Sequence, residues 1–102
     1  MISLYIDTSN NREINLQLEI NGDKKSDSKP IFQRTEKALV FIEELLRENS
    51  LTLDKIDKIY VKRGPGSFTG LRVGVSIANS LSFALGIPIN DNYKGYIEDA
   101  TY

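Results

Sequence analysis

Apolar and polar positions along the chain predict three strands first and helices afterwards. Ile2 to Ile6 is a short apolar run typical of a buried strand, and Glu13 to Ile20 alternates as a strand does with one face in water. Asn21-Gly22 suits the two positive-φ positions of a type I′ turn, so a third, more polar strand is expected from Asp23 to about Ser28. The first part of the chain is therefore predicted to form a three-stranded meander.

Helical periodicity replaces this alternation after the third strand. Pro30 suits the first turn of a helix that we expect from about Ile31 to Glu48, and its core stripe consists of Ile31, Ala38, Leu39, Ile42, Leu45 and Leu46. Ile56 to Val61 predicts a fourth strand, and a second helix is expected from about Ser67 to Leu85. Ile87 to Ile89 could start a fifth strand. The polar tail, residues 91–102, is expected to be poorly ordered.

The element order βββαβα(β) predicts an α/β fold with a mixed sheet. Strand four would return beside strand one through a right-handed crossover, which places both helices on one face of the sheet. The carboxyl end of strand one, Asp7-Thr8-Ser9, would then lie close to the turn from Gly64 to Gly70. α/β proteins place their sites at such edges, and this arrangement is that of the ribonuclease-H-like fold.

Length, charge and missing residue types exclude several classes of protein. The 102 residues predict a single domain, and the net charge of −1 argues against a protein that grips a phosphate backbone. The chain contains no cysteine and no histidine, which argues against disulfides, thiol nucleophiles, Ser/His hydrolase chemistry and zinc sites. The N-terminus does not resemble a signal peptide, and polar residues interrupt the apolar stretch from Leu71 to Ile89, so we expect a cytoplasmic protein without a membrane span.

The most informative run is Gly64-Pro65-Gly66-Ser67-Phe68-Thr69-Gly70-Leu71-Arg72, between the fourth strand and the second helix. Its glycines and proline favour an unusual strand-to-helix turn, and either Ser67 or Thr69 could cap the helix. The free N–H groups of the first turn could also hold an anion. The spacing GxGxxxG, without a following Gly-Lys-Ser/Thr, matches neither the dinucleotide fingerprint nor the Walker A loop. A well-capped turn without a ligand is an equal alternative.

The segment IDTS at the end of strand one, followed by GPGSFTGLRVGVSIANSLSFALGIPI, closely resembles the TsaB (YeaZ) family. The resemblance is carried by residues 2–9 and 56–89, and its motif positions are Asp7, Thr8, Ser9 and the nine residues from Gly64 to Arg72. It implies an actin-like ATPase lobe. It also implies a non-catalytic partner of TsaD, which makes threonylcarbamoyladenosine beside the anticodon of tRNA.

The chain departs from its relatives in two ways. TsaD-type proteins carry a pair of metal-binding histidines, and this chain has no histidine, so the resemblance implies a scaffold without catalytic residues, metal or cofactor. Ordinary TsaB members have two similar lobes, whereas 102 residues leave room only for the first, N-terminal lobe. The chain is thus expected to be either a reduced natural version or a fragment.

The resemblance further implies that the two helices dock onto the equivalent helices of TsaD. The residues support this independently, because the second helix carries a charge-poor stripe of Arg72, Ser76, Asn79 and Phe83, and the first adds Val40 and Phe41. Ordinary packing at the edge of a monomer is the alternative. The same patch could form a homodimer, a TsaE-like ATPase could join, and tRNA would be contacted only indirectly.

Two individual residues keep open alternatives. Arg72 is equally well interpreted as a solvated cation or as the partner of a carboxylate on another protein. Asp7 is interpreted first as a strand-end carboxylate that binds local backbone N–H groups, and second as the remnant of a phosphate loop.

Two other functions compete with the scaffold. Ribonuclease-H-like nucleases hold metal ions with clustered carboxylates, which here would be Asp7 with Glu43 or Glu44. The end of strand four reads Lys62-Arg63-Gly64, where such an enzyme would supply a further acid. The stronger alternative is an interaction or regulatory module that has left the tRNA pathway.

Overall fold

A computed structural model describes residues 1–10, 12–30 and 35–101. The chain forms the strands β1 (Ile2–Asp7), β2 (Glu13–Ile20) and β3 (Asp23–Pro30), then the helix α1 (Thr35–Glu48). A 3₁₀ turn (Leu53–Lys55), the strand β4 (Lys58–Val61) and the helix α2 (Phe68–Leu85) follow. The expected start of the first helix at Ile31 lies outside the described residues.

The sheet has the predicted mixed topology, with strand order β3-β2-β1-β4. β1 pairs antiparallel with β2, where Leu4 lies opposite Leu18, and parallel with β4, where Leu4 lies opposite Ile59. The turn between β2 and β3 has φ values of 50° at Asn21 and 95° at Gly22, in the region that a type I′ turn requires. The meander and the return of β4 beside β1 are therefore confirmed.

The boundaries at Pro30 and Ile56 differ from the prediction. Pro30 ends β3 instead of opening the helix, because the ladder continues until Glu13 pairs with Pro30. Proline is tolerated there because β3 is an edge strand. Ile56 precedes β4 because the 3₁₀ turn ends there; its backbone N–H donates to the oxygen of Leu53 at 3.1 Å.

The expected fifth strand is reduced to one parallel bridge between Ile59 and Ile89. Asn90 follows with φ of 50°, which turns the backbone away from the sheet. Its side chain continues the pairing instead, because Oδ1 accepts from the N–H of Val61 at 2.8 Å and Nδ2 donates to the Val61 oxygen at 3.2 Å. A side-chain amide thus replaces the next step of the ladder.

The hydrophobic core lies between one face of the sheet and both helices, as predicted. Leu4, Leu18 and Ile59 are fully buried on the sheet side, and Ile42 and Ala78 are fully buried on the helices. On the opposite face, the rings of Tyr5 and Tyr60 stack with centroids 4.8 Å apart. One face of the sheet therefore packs on the core and the opposite face does not, as expected for a sheet that helices cover on one side only.

Helix α2 is the more apolar of the two helices. By length and composition it could cross a membrane, with a mean hydropathy of 1.2, but its buried positions pack on the sheet. Contacts with β1 and β4 give it the role of a core helix.

Candidate functional site

The end of β1 and the start of α2 form one tightly bonded unit. The hydroxyl of Thr8 is fully buried and donates to the oxygen of Gly70 at 2.6 Å. The N–H of Ser67 donates to the oxygen of Ser9 at 2.8 Å. The structure therefore brings together the two motif segments that the sequence analysis placed at the same sheet edge.

Close packing accounts for two glycines of this unit. A Cβ atom on Gly74 would lie 2.2 Å from Oγ1 of Thr8, and one on Gly70 would lie 2.3 Å from the Thr8 oxygen. Both distances are far below van der Waals contact. The stripe of small residues on α2 thus lets the helix axis approach the end of β1.

The polar groups of the turn bind local partners. Oγ of Ser67 accepts from the N–H of Gly70 at 3.2 Å, so Ser67 caps the helix, while Thr69 is exposed. Oδ1 of Asp7 accepts from the N–H of Ser9 at 2.9 Å and from its hydroxyl at 2.6 Å. These bonds fit a structural turn, with Asp7 as the strand-end carboxylate expected there.

The carboxylates considered for a nuclease do not converge. Oε2 of Glu44 lies 2.7 Å from Nζ of Lys29, and this hydrogen bond lowers the pKa of the Glu44 carboxyl. Asp7, at the carboxyl end of β1, accepts a hydrogen bond from the hydroxyl of Ser9 instead. Across residues 1–10, 12–30 and 35–101, no three acidic side chains lie close enough to hold a metal ion together. The geometry gives the nuclease hypothesis no support.

Several predicted interface residues lie on the surface of the helix layer. Val40 on α1 is 54% exposed and Phe83 on α2 is 88% exposed. Arg72 and Ser76 are also exposed, and the guanidinium of Arg72 lies 5.4 Å from the ring centroid of Phe68. We call these exposed members of the predicted interface, Val40, Arg72, Ser76 and Phe83, the docking face.

For Phe41, predicted as an interface residue with ordinary packing as the alternative, the structure favours the alternative. It is only 4% exposed and belongs to the core cluster. Ala38, Phe41, Ile42 and Leu45 have the i, i+3, i+4, i+7 spacing of one helix face, so Phe41 extends the core stripe rather than flanking it.

Asn79 is also less available than predicted, because it binds the chain's own tail. Its side chain is half-buried, Oδ1 accepts from the N–H of Glu98, and Nδ2 donates to the Glu98 oxygen. A residue proposed for an external partner therefore has an internal one.

Glu98 anchors the tail through a nearly buried carboxylate. It is 3% exposed, and its Oε1 lies 2.9 Å from Nε of Arg63. Its Oε2 accepts from Nδ2 of Asn90 at 2.9 Å. Arg63 also holds the tail through its backbone, because its oxygen accepts from the N–H of Thr101 at 2.9 Å. No periodic pattern in the tail sequence points to this role, which depends on three separate segments.

Comparisons with known proteins agree with this fold and motif. The profile of the family described as "TsaD: tRNA N6-adenosine threonylcarbamoyltransferase" matches residues 33–91. The chain is 44% identical over 55 residues to the tRNA threonylcarbamoyladenosine biosynthesis protein TsaB of Haemophilus influenzae, which covers 54% of this chain and 23% of that protein. It is 43% identical over 54 residues to the tRNA N6-adenosine threonylcarbamoyltransferase of Bacillus licheniformis, covering 53% of this chain and 16% of that protein.

A solved structure extends the likeness to most of the chain. YeaZ from Pseudomonas aeruginosa superposes with a TM-score of 0.79 at 31% identity and covers 87% of this chain but 43% of that one. The α/β, ribonuclease-H-like lobe of actin-like ATPase type is therefore confirmed. The chain spans about a quarter of the length of the first curated relative it matches. The chain belongs to the TsaD-type family of tRNA threonylcarbamoyladenosine proteins, within which it corresponds to the N-terminal portion of the TsaB (YeaZ) members.

Proposed function

We propose that this chain is a non-catalytic scaffold that binds a TsaD-like protein in the biosynthesis of threonylcarbamoyladenosine in tRNA. Its curated relatives are named for this pathway. The sequence contains no histidine and no cysteine, and the hydroxyls of Thr8 and Ser67 are used for packing and helix capping. The partner would carry out the chemistry and contact the tRNA. The complex is expected to be cytoplasmic.

The observation that carries this proposal is the docking face. Phe83 presents nearly its whole ring to solvent on a helix whose sole charged residue is Arg72. A solvated helix face normally carries several lysines and glutamates, whereas the centre of a protein interface is charge-depleted and rich in aromatic residues and arginine. On the neighbouring helix α1, Val40 adds another exposed apolar side chain to the docking face.

The similarity to TsaD supports this choice of partner. The similarity to a TsaD-like protein covers about half of this chain, so that protein carries a counterpart of part of the same lobe. Two related surfaces can pair around an approximate twofold axis, as identical surfaces do in a dimer. The same face would then form a homodimer when TsaD is absent. A TsaE-like ATPase could join this pair.

Size-exclusion chromatography with light scattering, on this chain alone and mixed with TsaD from the same source, tests the proposal. We expect the two proteins to elute together with a defined stoichiometry. Separate elution of the well-folded proteins would contradict the scaffold and favour a module that has left the tRNA pathway.

Two matched variants locate the interface. Phe83→Glu is expected to abolish co-elution with TsaD while the circular dichroism spectrum stays unchanged, because the ring has few contacts within the chain. Tyr93→Glu replaces another exposed aromatic residue, in the tail, and should leave the complex intact. Loss of folding in Phe83→Glu, or equal effects of both variants, would argue against the docking face.

A further inference from the structure

A crevice separates the outer surface of α2 from the tail. Its volume is about 430 Å³, and its walls include Arg72, Ser76 and Ser80 from α2 and Ile97, Asp99 and Ala100 from the tail. Arg72 and Ser76 also belong to the docking face, so the crevice continues that surface along one side of α2. The match to the family profile ends at residue 91, so the residues of the tail wall lie outside the matched region.

The tail wall is held in place from three directions. The backbone of Glu98 is bound by the Asn79 side chain, its carboxylate by Arg63 and Asn90, and the N–H of Thr101 by the Arg63 oxygen. Gly64 makes room for this path, because a Cβ atom there would lie 1.7 Å from the Thr101 oxygen. Such an anchored segment presents its outward side chains in a defined position, which is a property of binding surfaces.

The outward side chains make the crevice amphipathic. Ile97 is 76% exposed although its neighbour Glu98 is buried, so the tail turns an apolar residue outward and an acidic one inward. Arg72 forms no ion pair with any described residue, and its guanidinium rests near the Phe68 ring. Arg72 is the one cation among the residues that line the crevice, and Asp99 is the exposed acid of its tail side. An acidic group of a partner would therefore be attracted to Arg72 and repelled by Asp99.

We propose that the tail is a third element of the TsaD-binding surface, and that the crevice receives side chains of the TsaD-like partner where that partner covers the docking face. Ile97 packs against an apolar side chain of the partner, and Arg72 pairs with a carboxylate beside it. This inference rests on the proposed function and specifies which residues beyond the docking face bind the partner.

Affinity measurements with paired variants test the proposal. Ile97→Asp is expected to weaken binding to TsaD at least tenfold, because it replaces the exposed apolar side chain of the tail wall with a charge. Tyr93→Asp introduces the same charge at an exposed tail position outside the crevice and should change the affinity less than twofold. Equal affinities of wild type and Ile97→Asp would overturn the inference alone. Absence of binding by the wild type would overturn the proposed function and this inference with it.

Site-specific cross-linking gives a readout that does not depend on affinity. The chain contains no cysteine, so Ile97→Cys and Tyr93→Cys each create a single attachment point for a photoreactive maleimide. We expect cross-links to TsaD from position 97 and few from position 93. A reversed pattern would contradict the crevice as the binding site.

Release of the tail distinguishes a tail that binds the partner from a tail that blocks the partner. Glu98→Ala removes the anchoring carboxylate and should weaken TsaD binding to the same degree as Ile97→Asp, because the tail wall loses its position. Tighter binding by Glu98→Ala would show that the tail blocks the partner and would overturn the proposal. The Ile97 variants, which change an exposed residue, keep the test decisive if Glu98→Ala fails to fold.

Discussion

The side-chain amide of Asn79 binds both backbone groups of Glu98: Oδ1 accepts from the N–H at 2.8 Å, and Nδ2 donates to the oxygen at 2.9 Å. The pairing imitates the hydrogen bonds of a neighbouring strand. Asn90 binds Val61 in the same way at the end of β4. Two asparagines therefore attach a segment that has no regular secondary structure to a helix and a strand.

Removal of the Asn79 amide should loosen the tail without unfolding the chain. Asn79→Ala is expected to lower the free energy of unfolding by about 1–3 kcal/mol, since two hydrogen bonds are lost and the Glu98 backbone needs new partners. Urea denaturation measures the loss, and hydrogen exchange at the Glu98 amide locates it. Ser80→Ala, at an exposed neighbouring position on α2, is the control and should change stability little.

Gly74→Ala should destabilise the fold although alanine favours helices. The new Cβ would overlap Oγ1 of Thr8, and such overpacking costs about 1–3 kcal/mol. Chemical denaturation checks the value, with Ser76→Ala on the exposed side of α2 as control. In the double variant Thr8→Ala with Gly74→Ala the overlap is gone, so the two effects should not add. Additive effects would mean that the helix does not pack against Thr8.

Phe41 and Phe83 should respond oppositely to truncation. Phe41→Ala opens a cavity in the core and is expected to cost about 3–5 kcal/mol, whereas Phe83→Ala removes an exposed ring and should leave the denaturation midpoint nearly unchanged. TsaD binding should show the reverse order in variants that remain folded. A comparable loss of stability in both would contradict the assignment of Phe41 to the core and Phe83 to the surface.

Stability should fall at alkaline pH through the stacked tyrosines. The hydroxyl of Tyr60 donates to Oδ1 of Asp91 at 2.7 Å, and this bond to a carboxylate raises the pKa of Tyr60 to about 12. The pKa of Tyr5 is raised as well, by its bond to Glu19. Because the folded state holds these protons more tightly than the unfolded state, their contribution is complete below pH about 10 and is lost as the pH rises toward 12.

Urea denaturation between neutral and alkaline pH measures this effect. Tyr60→Phe should show a shallower fall in stability over the same range, and tyrosinate absorbance should show a larger late-titrating component in the wild type than in this variant. Tyr93→Phe is the control, because it removes the hydroxyl of an exposed tyrosine that lies outside the Tyr5–Tyr60 stack. Identical pH profiles of wild type and Tyr60→Phe would contradict the role of the hydrogen bond to Asp91.

Local sequence patterns were sufficient to predict an element where the residue type or the period is compatible with one conformation only. The alternation in β2, the Asn21-Gly22 turn and the strand-to-helix motif each depend on neighbours along the chain, and each was predicted correctly. The boundary at Pro30 was missed because a proline suits both a helix start and the end of an edge strand. Only the pairing with Glu13 decides between them.

By itself the sequence determined the class of fold, the sheet order and the motif that carries the family, because periodicity and turn chemistry act over a few residues. The tertiary structure alone decided that Phe41 is buried, that Asn79 binds the tail and that Glu98 lies inside the protein. These outcomes follow from contacts between segments far apart in sequence. A buried carboxylate is acceptable only where Arg63 and Asn90 converge on it, and this convergence exists only in the folded chain.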